Sequence, residues 1–182
     1  MATPHVHIPD GTPVLQRIIK GQVTRWPIAS GGTVESSGEA WRCAGSAATP
    51  GLIMPLLEAY LLDVNRLPWN FVHWVSDCAC EALTNAGQHC RPGSDVQVSC
   101  IVVGIGSNRR CTIRVFNVVE VGTPLFPASR KIPRPDQQDV HKLRGRGLPI
   151  MKSQADVMVL EDLPGYAKEV TLGFDLKHAP AE

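Results

Sequence analysis

Between Trp69 and His89 the chain places Phe71, Val72, Val75, Cys78, Ala79, Ala82, Leu83 and Ala86 at helical spacing. With Glu81 set at 0°, these apolar residues fill an arc of about 60–200° at 100° per residue. Glu81, Asn85 and His89 stand at i, i+4 and i+8, so they form one polar line on that helix. Asn85 falls near ~40° and His89 near ~80°, so the line follows the border of the buried face. A solvated charge stripe would lie opposite the apolar arc. The sequence therefore predicts a long helix over 69–89, buried on one side, with a carboxylate and a carboxamide at its margin.

The rest of the chain must supply what that helix packs against. At 182 residues there is room for one well-packed domain plus a tail, given roughly 100–200 residues per domain. The formal net charge of +1 gives no electrostatic basis for binding nucleic acid or a polybasic membrane patch. No run approaches the ~18 consecutive apolar residues of a membrane span. Met1-Ala2-Thr3-Pro4-His5-Val6-His7 lacks the basic and apolar regions of a signal peptide. A cytoplasmic protein is expected.

Six cysteines (Cys43, Cys78, Cys80, Cys90, Cys100 and Cys111) contain no C-x-x-C pair. On a helix Cys78 and Cys80 point about 200° apart, so they cannot share one metal. Small buried hydrophobes in a reducing compartment are the expected role.

Residues 1–35 carry scattered Pro, Gly and Ser around one apolar patch at Val14–Ile19, and read as a partly disordered extension, an added strand or a partner contact. Glu39–Ala44 reads as an edge strand. Thr49-Pro50 predicts an N-cap with proline at the first helical position, followed by an apolar helix from Leu52 to Val64. Val96–Val103 and Thr112–Val119 form a hairpin around Gly104–Asn108, and Val157–Leu160 leads through Pro164-Gly165 to Val170–Leu176. Residues 122–146 are irregular and rich in proline and base (Arg130, Lys131, Arg134, His141, Lys142, Arg144), either a solvated lid or a clamp for phosphates or a partner. Gly147–Ala155 forms a short third helix. Trp69 and Trp74 are expected in the core. The order strand, helix, helix, hairpin, loop, helix, hairpin predicts an α+β two-layer sandwich, its sheet mixed but mostly antiparallel and its helices on one face. That domain spans 36–177, and 178–182 form a tail.

Two motifs carry chemistry. Glu81-x-x-x-Asn85-x-x-x-His89 is followed by Arg144-Gly145-Arg146-Gly147-Leu148, a glycine-rich turn opening a helix. A helix N-terminus with glycines admits a phosphate to backbone N–H groups. A carboxylate and a carboxamide on the neighbouring helix outline a nucleotide site with a metal. His89, near the helix C-terminus, is expected to be structural.

These two motifs, with the further run Met151-x-x-x-Ala155-Asp156, resemble the Bergerat-fold (histidine-kinase-like) ATPase domain, over roughly residues 39–177. The compact form is most similar to bacterial anti-sigma factor serine/threonine kinases, in particular the actinobacterial regulators. The resemblance implies an ATP-binding protein kinase that holds a sigma factor and phosphorylates an anti-anti-sigma protein, with homodimers common among relatives. It implies Asn85 as the magnesium ligand, Glu81 as the catalytic carboxylate, and Gly145, Arg146, Gly147 and Leu148 at the phosphates. Thr171 is implied near the adenine. The family's Asp-x-Gly box, whose Asp accepts a bond from the adenine amino group, is altered here. Asn117 falls at its position, and Glu120-Val121-Gly122 restores an acid-x-Gly pattern three residues later, which makes Gly122 the candidate glycine. The alternative is a degenerate member that binds proteins without chemistry.

Overall fold

The computed structural model describes residues 24–28, 36–127 and 147–180, the first of these segments as backbone only. Six strands and three α-helices appear among them: β1 (Thr24–Ile28), β2 (Ser36–Ala44), α1 (Thr49–Ala59), α2 (Trp69–His89), β3 (Asp95–Val103), β4 (Arg110–Val118), α3 (Gly147–Gln154), β5 (Val157–Leu163) and β6 (Ala167–Asp175). The strands form one sheet in the order β1-β2-β3-β4-β6-β5. This is the α+β two-layer arrangement expected.

Every described pairing is antiparallel. The crossover through α3 does return β5 parallel to β4. The β5–β6 hairpin then inserts β6 between them, so no parallel neighbours result. β2 is not an edge, because β1 pairs along it from Thr24↔Arg42 to Ile28↔Gly38.

Alternation along the strands decides which side the helices cover. Trp41, Val98, Val115 and Val170 lie in one cross-strand row, and Cys100, Ile113 and Leu172 in another. All seven are buried in a single cluster with Phe71, Val72, Val75, Ala82 and Leu83 of α2. Each large apolar side chain removed from water contributes roughly 1.5–3 kcal/mol. Edge-on aromatic contacts lock the ends of this layer: Trp41 on Tyr60 at 5.9 Å between ring centroids, and Trp74 on Phe174 at 5.1 Å.

The helix over 69–89 is observed with the bounds read from its periodicity. Asn70 Oδ1 accepts the Phe71 amide at its start, and Pro92 with Gly93 (φ 79°) carries the chain away from its end. α1 begins earlier than expected, so Pro55 lies inside it. Thr49 is already helical and not the cap. Its hydroxyl instead accepts the Ser46 amide at 3.1 Å. Beyond Ala59 the helix widens into a π turn over Tyr60–Val64, closed by Asn65 N–H on the Tyr60 carbonyl at 3.1 Å. Arg66, with φ 52°, then reverses the chain. Trp74 is part-buried against the core, whereas Trp69 is 63% exposed and is not a core residue. Four cysteines are buried, Cys90 is half-buried and Cys80 is exposed, and all are thiols. Among the described residues no helix is long and apolar enough to cross a membrane.

Gly87, buried on α2, fixes how closely α1 approaches. A Cβ there would lie 2.2 Å from the Ser46 carbonyl oxygen and 3.0 Å from Thr49 Oγ1. In an open helix, Gly→Ala is worth about 1 kcal/mol of added stability. Here the backbone oxygen cannot move aside, and the sign reverses. Gly87→Ala is expected to cost about 1–3 kcal/mol, read as a lowered urea midpoint with unchanged slope.

Candidate functional site

Glu81 and Asn85 stand one turn apart on α2, and the first residue of α3 is seated directly on them. A Cβ built on Gly147 would be 2.8 Å from Glu81 Oε2 and 2.8 Å from Asn85 Nδ2. A residue without a side chain lets the α3 backbone come this near without displacing either side-chain end. The other end of α3 is tied to the same helix. Trp74 Nε1 donates to the Gln154 carbonyl at 3.1 Å, and the Cys78 thiol donates to Gln154 Oε1 at 3.3 Å. α3 therefore runs antiparallel along α2, its amino end and partial positive charge at the Glu81 carboxylate. Burial, followed by the charges of Asp77 and Glu81, pushes the Cys78 thiol up to about 12. Leu148, next after Gly147, packs its side chain against the core.

The second half of the site lies under the end of α2. Arg91 N–H, just past the helix, donates to the Val118 carbonyl at 2.7 Å and so draws the helix terminus onto the end of β4. Asn117 is on the helix-facing side of β4, in line with Cys111, Ile113 and Val115. It is 5% exposed, and its Nδ2 has no hydrogen-bond partner among the described residues. Gly122 is exposed with φ 88°, in the turn closed by Thr123 N–H on the Glu120 carbonyl at 3.1 Å. It is a turn glycine there.

After that turn the chain is strapped across the β5–β6 hairpin. Lys168 Nζ donates to the Pro124 carbonyl at 2.7 Å, pairs with Asp162 Oδ1 at 2.9 Å and stands 4.0 Å from the Phe126 ring centroid. The Phe126 amide donates to Asp162 Oδ2 at 2.8 Å. A cavity of about 550 Å³ opens beside the strap, lined among others by Val119, Thr123, Leu125, Tyr166 and Lys168. Glu81 and Asn85 do not line it.

Thr171 does not join Asn117. It shares its face of β6 with Glu169, accepts Arg114 and Val159 as cross-strand neighbours, and donates its hydroxyl to Glu169 Oε1 at 3.3 Å. That is the face opposite Val170, Leu172 and Phe174. The β6 residue beside Asn117 on the helix side is Lys168, its register partner. Parity with Val170 could have revealed this, but a lysine in a strand ordinarily signals the solvated face.

Gly145 and Arg146 lie outside the described residues, as do Arg130, Lys131, Arg134, His141, Lys142 and Arg144. His89 is exposed at the end of α2. Among the described residues no group of three His, Cys, Asp or Glu side chains is placed to hold a metal. Asn85 offers one hard oxygen beside a carboxylate and a helix N-terminus. That donor set fits magnesium, an ion that keeps several waters and otherwise takes phosphate oxygens.

No protein-family model matches the chain, and no curated protein matches it. What the site can do is read from its residues.

Two consequences follow from this geometry. Gly147→Ala meets only the ends of two flexible side chains, so stability should stay within about 1 kcal/mol of wild type while the Asn85 side-chain amide resonances shift. Unmoved resonances would show that Gly147 does not press on the pair. The strap responds to acid. Desolvation alone would raise the Asp162 carboxyl, but hydrogen bonds from Lys168 and the Phe126 amide, with the Lys168 charge, hold it below the usual carboxylate range. Its contribution is thus present above about pH 4 and is lost as pH falls through the lowered value. Lys168→Met should therefore be less stable than wild type at pH 6, and thermal melts should show that gap narrowing below about pH 4.

Proposed function

We propose that this chain is a magnesium–nucleotide-binding regulatory domain that transfers a phosphoryl group to a serine or threonine of a partner protein. The observation that carries the reading is the seating of Gly147 on Glu81 and Asn85. Two segments some sixty residues apart, each suspected of phosphate and metal chemistry for its own reasons, converge on one spot. The resemblance to anti-sigma factor kinases supplies the partners: a sigma factor that is held, and an anti-anti-sigma protein that receives the phosphate. It also supplies a cytoplasmic setting.

In this reading magnesium, when bound with the nucleotide, neutralises charge on the transferring phosphoryl group. Asn85 would hold the ion through its amide oxygen. Glu81, at the margin of the buried face, accepts the proton of the incoming hydroxyl. Backbone N–H groups at the start of α3 stabilise phosphate oxygens, and Gly147 keeps that approach free of a side chain. Substrate positioning and electrostatics carry most of the work, which suits so sparse a set of side chains.

A second reading is a nucleotide-dependent or nucleotide-free binding module without transfer. It is favoured by Asn117 in place of an acid and by the Lys168–Phe126 strap at the base end. Calorimetric titration of the full chain with ATP, with and without magnesium, separates the two. Wild type should bind ATP in a magnesium-dependent way, and Asn85→Ala should weaken binding at least about tenfold, the size of one lost polar contact. Glu81→Gln should bind like wild type and fail to phosphorylate. Absence of binding near millimolar ATP would sink the proposal, and binding without transfer would leave the module.

A further inference from the structure

The buried amide at the base end has the wrong chemistry for a device that only accepts. Asn117 is 5% exposed, and its Nδ2 donor is unmet among the described residues. Its row neighbours cannot help: Val96 has no polar side-chain atom, and the Lys168 ammonium is itself only a donor. Leaving such a donor unmet in the core is destabilising. A valine, the residue type that fills β3 and β4 around it, would avoid that cost. A ligand that presents an acceptor would meet that donor.

Resting on the nucleotide reading above, we propose that Asn117 reads the six-position edge of a purine in both senses. The site then takes 6-oxo purine nucleotides as well as 6-amino ones. The placement fits. Arg91 N–H on the Val118 carbonyl brings the end of α2, the helix that carries Asn85, to the strand residue next to Asn117. An asparagine amide pairs with an adenine by accepting from N6–H and donating to a ring nitrogen. Turned by 180°, the same amide donates to O6 and accepts from N1–H of hypoxanthine. A carboxylate accepts only. It would face O6 with a second acceptor, and so would select the 6-amino base.

ATP and ITP differ at this edge alone, which makes them the probes. With magnesium and the full chain, wild type is expected to bind the two with Kd values within about fivefold of each other, because either orientation of the amide forms the same number of bonds. In Asn117→Asp the ITP affinity should fall at least about tenfold relative to ATP. Wild type that binds ATP but discriminates against ITP by ~50-fold or more overturns the inference and leaves the nucleotide reading standing. Failure to bind either nucleotide overturns both. The wild-type ratio decides the matter even if the aspartate variant does not fold.

Discussion

The contact on which this molecule depends is the lateral seating of backbone on α2. Gly87 admits the Ser46 carbonyl on one side of the helix, and Gly147 brings α3 onto Glu81 and Asn85 on another. Between these two points the apolar arc of α2 covers the sheet. Hydrophobic burial supplies the driving force but is indifferent to small sliding motions. The close approaches are not, since atoms at these separations tolerate displacements of only a few tenths of an ångström. The glycines thus convert a generic amphipathic helix into a reference frame, and the candidate site is defined relative to it.

That frame explains which parts of the architecture could be read from the residues. The α2 periodicity spans many turns, and each turn repeats the same statement about which side is buried, so both ends came out where the helix lies. The start of α3 at Gly147 and the β3–β4 hairpin were equally legible, because glycine and turn chemistry are local. The edge status assigned to β2 failed because strand neighbours are a non-local property. Nothing in Glu39–Ala44 encodes that Thr24–Ile28 will pair beside it. Trp69 went astray for a related reason: it heads a helix but lies off the apolar arc.

The position of Thr171 is more instructive. A motif match aligns residue types, whereas a strand's period of two assigns faces, and a shift of one residue moves a side chain through the sheet. The register Asn117↔Lys168 and Arg114↔Thr171 leaves no freedom. Lys168 was hidden by its charge. Its burial is made tolerable by three partners at once: the Pro124 carbonyl, the Asp162 carboxylate and the Phe126 ring face. No local pattern announces such a set, since Asp162 and the Pro124–Phe126 strap come from separate stretches of chain.

The two ends of the site therefore differ in kind. At α2 and α3, Glu81 and Asn85 are brought together with Gly147 by a close contact that an added side chain would disturb. At the ends of β4 and β6 an amide, Asn117, stands where the family resemblance implied an acid, and the neighbouring position on β6 carries a cation already committed to protein partners. The Lys168 charge is thus neutralised internally by Asp162. What remains available there is the Asn117 amide, whose value lies in orientation and not in charge. A neutral group that both donates and accepts forms weaker bonds than a carboxylate. On the nucleotide reading proposed above, it would impose less on the identity of the base and leave discrimination to the phosphates and to a metal at Asn85.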